Sequence, residues 1–310
     1  MMRELKILAV VVFFTLVIYW GVEPYAHSQM HAHVESGNFE YKDLPEVAKG
    51  DVAKGKELVM SNCTACHSID AENMPAPMDA LTSSASYGVN PPDLSNMGAI
   101  LDAKYLAAFI ADPAKAAKVS HKFTDGKSHP MPSYNWMPKE DIESIVSYLQ
   151  SIAPKEITPK EAFTTACGRC HAARYDGKVL GKKWTQIGDK PKFKYEKDSL
   201  AYDIKVIEYQ DNLKKYMGKL PPDLSIIIRA RGHHFLETFI ENPQSQLHGT
   251  AMPAVGLSEE GFEKVMQHLE NIGDPSKPTR DSLGVWFLLY TVIFAILAYL
   301  WKQSVWRKLH

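Results

Sequence analysis

The pentapeptide Cys-x-x-Cys-His occurs twice, as Cys63-Thr-Ala-Cys66-His67 and as Cys167-Gly-Arg-Cys170-His171, and together these hold all 4 cysteines of the 310-residue chain. A thioredoxin-type redox pair uses Cys-x-x-Cys but has no need of the following His, twice. A Cys₂His₂ or Cys₄ zinc site needs further ligands at finger-like spacing, and the cysteines run out. Covalent attachment of c-type haem uses every fixed residue of the motif. The two thiols take up the vinyl groups, and the adjacent His ligates the iron. The sequence therefore predicts two covalently bound haem c groups, with His67 and His171 as iron ligands.

Each motif opens a longer repeat. Pro-Pro-Asp-Leu-Ser stands at 91–95 and again at 221–225, and Ala-Phe-Ile-Ala-Asp-Pro at 108–113 is echoed by Thr-Phe-Ile-Glu-Asn-Pro at 238–243. Met131 and Met252 each begin a Met-Pro loop ahead of a final helix, 139–152 and 259–272. Apolar residues fall at helical spacing in both: Ile142, Ile145, Val146, Leu149 and Phe262, Val265, Met266, Leu269. This conserved order predicts a tandem duplication with one haem per copy, each small core stabilised by burying the porphyrin.

Met131 and Met252 are the predicted sixth iron ligands because they recur at matched places. A Met is more commonly core filler, and His129, His248 and Met137 stand nearby as rivals. Met/His ligation closes both axial positions and raises the potential, which suits electron transfer over oxygen or peroxide chemistry. The Pro-Pro-Asp segments are either simple turns or a device that sets the carbonyls of Pro92 and Pro222 against the ring N–H of the ligand His.

The two ends differ in kind from the middle. Residues 282–301 carry no charge and lie between Asp281 and Lys302, with Trp286, Trp301 and Trp306 near the two ends. At about 1.5 Å per residue this run spans roughly 30 Å, a bilayer core, and indoles favour its interfaces. An apolar run at 7–22 follows Arg3 and Lys6 and reads as a retained anchor or as a signal peptide. Basic residues at both tips (Arg3 and Lys6; Lys302, Arg307 and Lys308) predict cytoplasmic termini, with residues 25–280 on the other side of a bacterial inner membrane. In the oxidising periplasm such cysteines form disulfides unless otherwise engaged. The net charge of −1 gives no sign of a nucleic-acid partner.

The segment Lys-Leu-Pro-Pro-Asp-Leu-Ser-Ile-Ile-Ile-Arg-Ala-Arg-Gly at 219–232 resembles cytochrome c1, the haem subunit of the cytochrome bc1 complex (ubiquinol/menaquinol–cytochrome c reductase). The resemblance covers most of 155–305, and the additional haem motif makes the chain similar to the dihaem variety of cytochrome c1. It implies that Arg231 binds a haem propionate and that 282–301 is the C-terminal anchor. It also implies cytochrome b and Rieske iron–sulfur subunits as partners, with cytochrome c or a terminal oxidase as acceptor. Electrons would enter at the second copy and leave from the first. The first copy has Asn96 to Leu101 in place of the arginines, so its propionate partner is unassigned.

The fold expected is mainly α, two tandem class I cytochrome c-type domains with N- and C-terminal transmembrane helices in contact with lipid. The segments are an anchor or signal at 1–24, a linker at 25–44, cytochrome domains at 45–152 and 153–280, a transmembrane helix at 282–301 and a tail at 302–310. Acidic residues outnumber basic ones over 40–151, which would steer a basic partner or simply be a solvated surface. A lysine-rich insertion in the second copy (Lys178, Lys182, Lys183, Lys190, Lys192, Lys194, Lys197) is an exposed loop or a contact with cytochrome b or headgroups. His27, His31 and His33 belong to a polar tether or bind metal. The alternatives are the dihaem subunit of a cbb3-type oxidase, which the C-terminal anchor and the Arg-Ala-Arg stretch oppose, and a dihaem peroxidase, which needs an open iron site. A haem-based sensor would carry a cytoplasmic output domain, and the short tail after Trp301 supplies none.

Overall fold

The computed structural model describes residues 2–30, 36–124, 126–174 and 184–307. His31 and His33, the His27 side chain and Lys178, Lys182 and Lys183 lie outside the described residues. At the N-terminus α1 (Met2–Val17) runs through a π-turn at Ile18–Val22 into α2 (Glu23–Met30). At the other end lies the 30-residue α15 (Lys277–Trp306). The helical span Arg3–Ala26 and α15 are each long and apolar enough to cross a membrane, and neither is buried against protein. Lys302 pairs with Glu4, joining the N-terminal tip to the C-terminal end of α15.

Between these ends the helices follow one order twice. The first series is α3 (Val52–Asn62), α4 (Ala80–Tyr87), α5 (Met97–Ile100), α6 (Ala103–Ala111), α7 (Pro113–Ala116) and α8 (Lys139–Ile152). The second is α9 (Pro159–Ala166), α10 (Glu196–Met217), α11 (Ile227–Ala230), α12 (His233–Glu241), α13 (Pro243–Gln246) and α14 (Glu259–Gly273). A two-residue hairpin, β1 (Trp184–Thr185) and β2 (Gly188–Asp189), precedes α10.

Local chemistry sets where the motif helices start. Asp51 caps α3 by accepting from the N–H groups of Ala53 and Lys54. Thr158 and Glu161 form a reciprocal capping box on α9, with Pro159 in its first turn. Each motif helix then packs on the last helix of its series, α3 on α8 and α9 on α14. The apolar stripes expected on α8 and α14 are the buried ones. At Gly55 the α3 backbone meets α8 so closely that a Cβ would run into the Ser144 carbonyl oxygen.

The two cores are not equivalent. One is built wholly from the first series, with Val59, Ile69, Leu94, Met97, Ile145 and Leu149 among its members. The other centres on Phe163, Leu236, Phe262 and Val265 and also takes in Phe39, Tyr41, Ile100 and Tyr105. The expected linker 25–44 is thus only partly a linker. Residues 23–30 are helical, Phe39 and Tyr41 are buried, and Glu241 accepts from the N–H groups of Gly37 and Phe39. Two aromatic side chains in that stretch gain more from burial than from tethering in water.

Candidate haem sites

Both motifs make one turn at the C-terminal end of their helix. Cys66 N–H and His67 N–H bond to Cys63 O at 3.1 and 3.0 Å; Cys170 N–H and His171 N–H bond to Cys167 O at 3.1 and 2.9 Å. No disulfide joins the four cysteines. Burial pushes Cys63 up to about 11 and Cys167 up to about 12.

The Pro-Pro-Asp-Leu-Ser segments close over the histidines identically. His67 Nδ1 lies 2.8 Å from Pro92 O, and His171 Nδ1 lies 2.8 Å from Pro222 O. A carbonyl only accepts, so Nδ1 carries the proton and Nε2 keeps a free lone pair. Burial is the main cause holding both imidazoles below the ordinary histidine range, hence neutral at pH 7. The next residues lock the segment in place. Leu94 N–H bonds to Ser68 O at 3.0 Å and Leu224 N–H to Ala172 O at 2.8 Å. Asp93 accepts from Asp70 N–H at 2.9 Å, and Asp223 from Arg174 N–H at 3.0 Å. The same carboxylates accept from Ser95 N–H and Ser225 N–H. Asp93 and Asp223 fix the segments that orient the two histidines, and the repetition of all five letters is the sequence signal that more than the proline matters.

Met131 and Met252 pack at the margins of the two cores, as Cys63 and Cys167 do. Met137 is buried inside the first core. His129 is held by its own loop: its Nδ1 is 3.1 Å from Met131 N, and its ring meets Phe109 and Phe123 edge-on. His248 is exposed. Arg231 lies over the Phe235 ring, 4.9 Å from its centroid, while Arg229 pairs with Asp274 at 3.9 Å. Two thiols, a neutral imidazole with an oriented ring and an apolar flank make each site fit a covalently attached haem.

Arg169 and Tyr209 were not foreseen from the sequence. Arg169 Nε is buried without a hydrogen-bond partner, and its Nη1 donates to Asn90 O of the first series at 3.1 Å. The insertion, expected as a lysine-rich loop, is largely the 22-residue α10. Lys190 is bound there to Asp203, while Leu200, Ile204 and Ile207 are exposed.

Residues 52–153 match the sequence model of the cytochrome c family. Over 133 residues the chain is 27% identical to the ammonia monooxygenase gamma subunit of Nitrosomonas europaea, covering 31% of this chain and 57% of that protein. The chain thus spans little more than half the length of that curated relative. A solved chain of a hyperthermophilic respiratory complex III is 24% identical, with 49% of this chain and 75% of that one covered and a TM-score of 0.35. Over 52–153, which runs from the first residue of α3 through α8, the chain therefore matches a cytochrome c domain, and such a domain implies covalently bound haem c.

Proposed function

We propose that the chain is a membrane-anchored dihaem c-type cytochrome, the cytochrome c1-like subunit of a bc1-type quinol–cytochrome c reductase. The observation that carries the second haem is the recurrence of the whole hydrogen-bond pattern, His171 to Pro222 and Asp223 to the backbone after the motif, beyond the span matched by the family model. Haem c supplies a one-electron iron couple at each site. Cys63 and Cys66, and Cys167 and Cys170, would hold the two groups through thioethers, and His67 and His171 would ligate the iron. Met131 and Met252 would be the remaining iron ligands, which would leave no open position for small molecules. Arg231, half-stacked on Phe235, offers its guanidinium to a propionate.

Electrons enter from a Rieske protein at the second site and leave through the first to a cytochrome c or a terminal oxidase. The two apolar helices anchor the chain in a bacterial inner membrane. The Glu4–Lys302 pair supports placing both termini on one side, which the basic tips make the cytoplasm, and the haem sites on the periplasmic side.

Gentle detergent extraction of the tagged chain from native membranes, followed by identification of the co-purifying proteins and a quinol-driven haem reduction assay, tests this. Cytochrome b and a Rieske protein, with reduction blocked by a quinol-site inhibitor, are the expected result. Copper-containing oxidase subunits alone, without quinol-driven reduction, would overturn it in favour of the cbb3-type subunit.

A further inference from the structure

The two copies meet at a point between their motifs, and a tyrosine stands in it. Tyr209 of α10 is fully buried. Its hydroxyl donates to Arg169 O at 3.0 Å and accepts from Asn90 N–H at 3.0 Å. A phenol can do both at once. Burial pushes Tyr209 up to about 12, so it stays a protonated donor at neutral pH. Arg169 directly precedes Cys170, and Asn90 precedes the Pro91–Pro92 pair whose second carbonyl orients His67.

We propose that this junction is the electron path between the two haem sites. It rests on the reading of two haems given above. The path runs from Cys170 through Arg169 O, Tyr209 Oη, Asn90 N and Pro92 O to His67 Nδ1, with hydrogen bonds of 3.0, 3.0 and 2.8 Å as its only non-covalent links. Tunnelling decays less steeply along bonds and short hydrogen bonds than across gaps. One electron passes from the second site to the first, oxidising one and reducing the other. No bond breaks, and Tyr209 keeps its proton.

Three features show that the junction is built. The helix in this place is 8 residues long in the first copy and 22 in the second, and Tyr209 lies in the added length. α10 is clamped to α4: Asn212 Nδ2 donates to Ser84 Oγ at 3.1 Å. Gly88, at φ 83°, leaves room that Tyr216 fills, where any Cβ would strike the ring. Finally, the Arg169 guanidinium fastens the same Asn90 from its carbonyl side at 3.1 Å, and the equivalent residue of the first motif is Ala65, which has no such reach. The insertion is thereby given a task, to deliver Tyr209 between the sites.

The test uses the full-length, detergent-extracted holoprotein and the variant Tyr209→Phe, which keeps the ring and removes the hydroxyl. Tyr202→Phe is the control, on the same helix but bonded to Thr185 and Gly188 away from the path. Intact mass first counts the haems. A single haem would defeat the two-haem reading and this proposal with it. With two present, amide exchange at Asn90, both midpoint potentials and the inter-haem relaxation after a reducing flash are measured.

In Tyr209→Phe the Asn90 amide should lose protection and the relaxation should slow about tenfold. Both potentials should stay within about 59 mV, a tenfold change in a one-electron equilibrium. Tyr202→Phe should relax like the parent. An unchanged rate in Tyr209→Phe despite lost Asn90 protection would overturn the proposal, as would equal slowing in both variants. Should Tyr209→Phe not fold, Asn90→Pro removes the donor N–H without touching α10, and the same slowing is expected.

Discussion

The first core is closed on itself, whereas the second borrows Phe39 and Tyr41 from the N-terminal segment and Ile100 and Tyr105 from the first copy. Around the motifs the two copies are nearly superposable in their bonds: the same His-to-Pro distance, the same Leu N–H tie, the same Asp clasp. Away from them they diverge. Val59 faces its core where Phe163 does in the other, Tyr148 stands where His268 does, and Leu101 where Arg231 does. The atoms that hold and orient a cofactor have little freedom, because a shifted carbonyl loses a buried hydrogen bond. The packing behind them can trade residues as long as neighbouring side chains take up the change in volume. In this chain the second core also takes in side chains of the first series.

Removing one pair of motif cysteines at a time breaks this comparison most strongly. Cys167→Ala with Cys170→Ala should leave one covalent haem in a first copy that melts normally, since its core contains nothing from the second. Cys63→Ala with Cys66→Ala should lose the first haem and also lower the melting point of the second copy, because Ile100 and Tyr105 are no longer held. Intact mass and thermal melts followed at the remaining haem read both. Symmetric effects would mean that the shared residues contribute no dependence.

Much of the site was legible because it is local and repeated. Cysteine spacing, the Pro-Pro-Asp segments and the helical stripes of α8 and α14 all lie within short windows. The shared core was not legible: Tyr105 and Ala254 are distant in sequence, and no period marks their meeting. Nor was the junction, where Tyr209 reaches across to Asn90. For α10 a signal did exist. Glu196 and Asp198 in its first turn, Lys214 and Lys215 in its last, and Gly218 at φ 81° beyond it are ordinary helix-end chemistry.

His268 sharpens the comparison through pH. It is 3% exposed, with its ring 4.7 Å from that of Phe163. Burial pulls it down to about 4, with Lys160 pushing the same way and Asp189 opposing. Below its ordinary value the unfolded chain binds a proton that the folded chain does not. The stability it contributes is therefore fully present above about pH 6.5 and is lost as pH falls towards 4. Urea unfolding at about pH 7.5 and about pH 5 should show the second copy weakening more than the first, which has Tyr148 in this place and whose His129, also lowered by burial, is less deeply placed in the core. His268→Phe should flatten that slope; a slope that persists would assign the acid sensitivity elsewhere.

Tyr105→Phe tests the borrowed residue with the smallest change. Its hydroxyl donates to Ala254 O at 2.5 Å, and its ring lies where Gly256, at φ 74°, leaves no side chain in the way. The phenylalanine keeps the ring packed and strands a buried carbonyl, a cost of about 1–3 kcal/mol. That carbonyl belongs to the loop carrying Met252, so the loss falls on the second copy although the substituted residue belongs to the first. Melting followed separately at the two haem absorptions should show only the second transition moving. If both move together, the copies unfold as one cooperative unit, and the borrowed aromatics are then the seam of a single core.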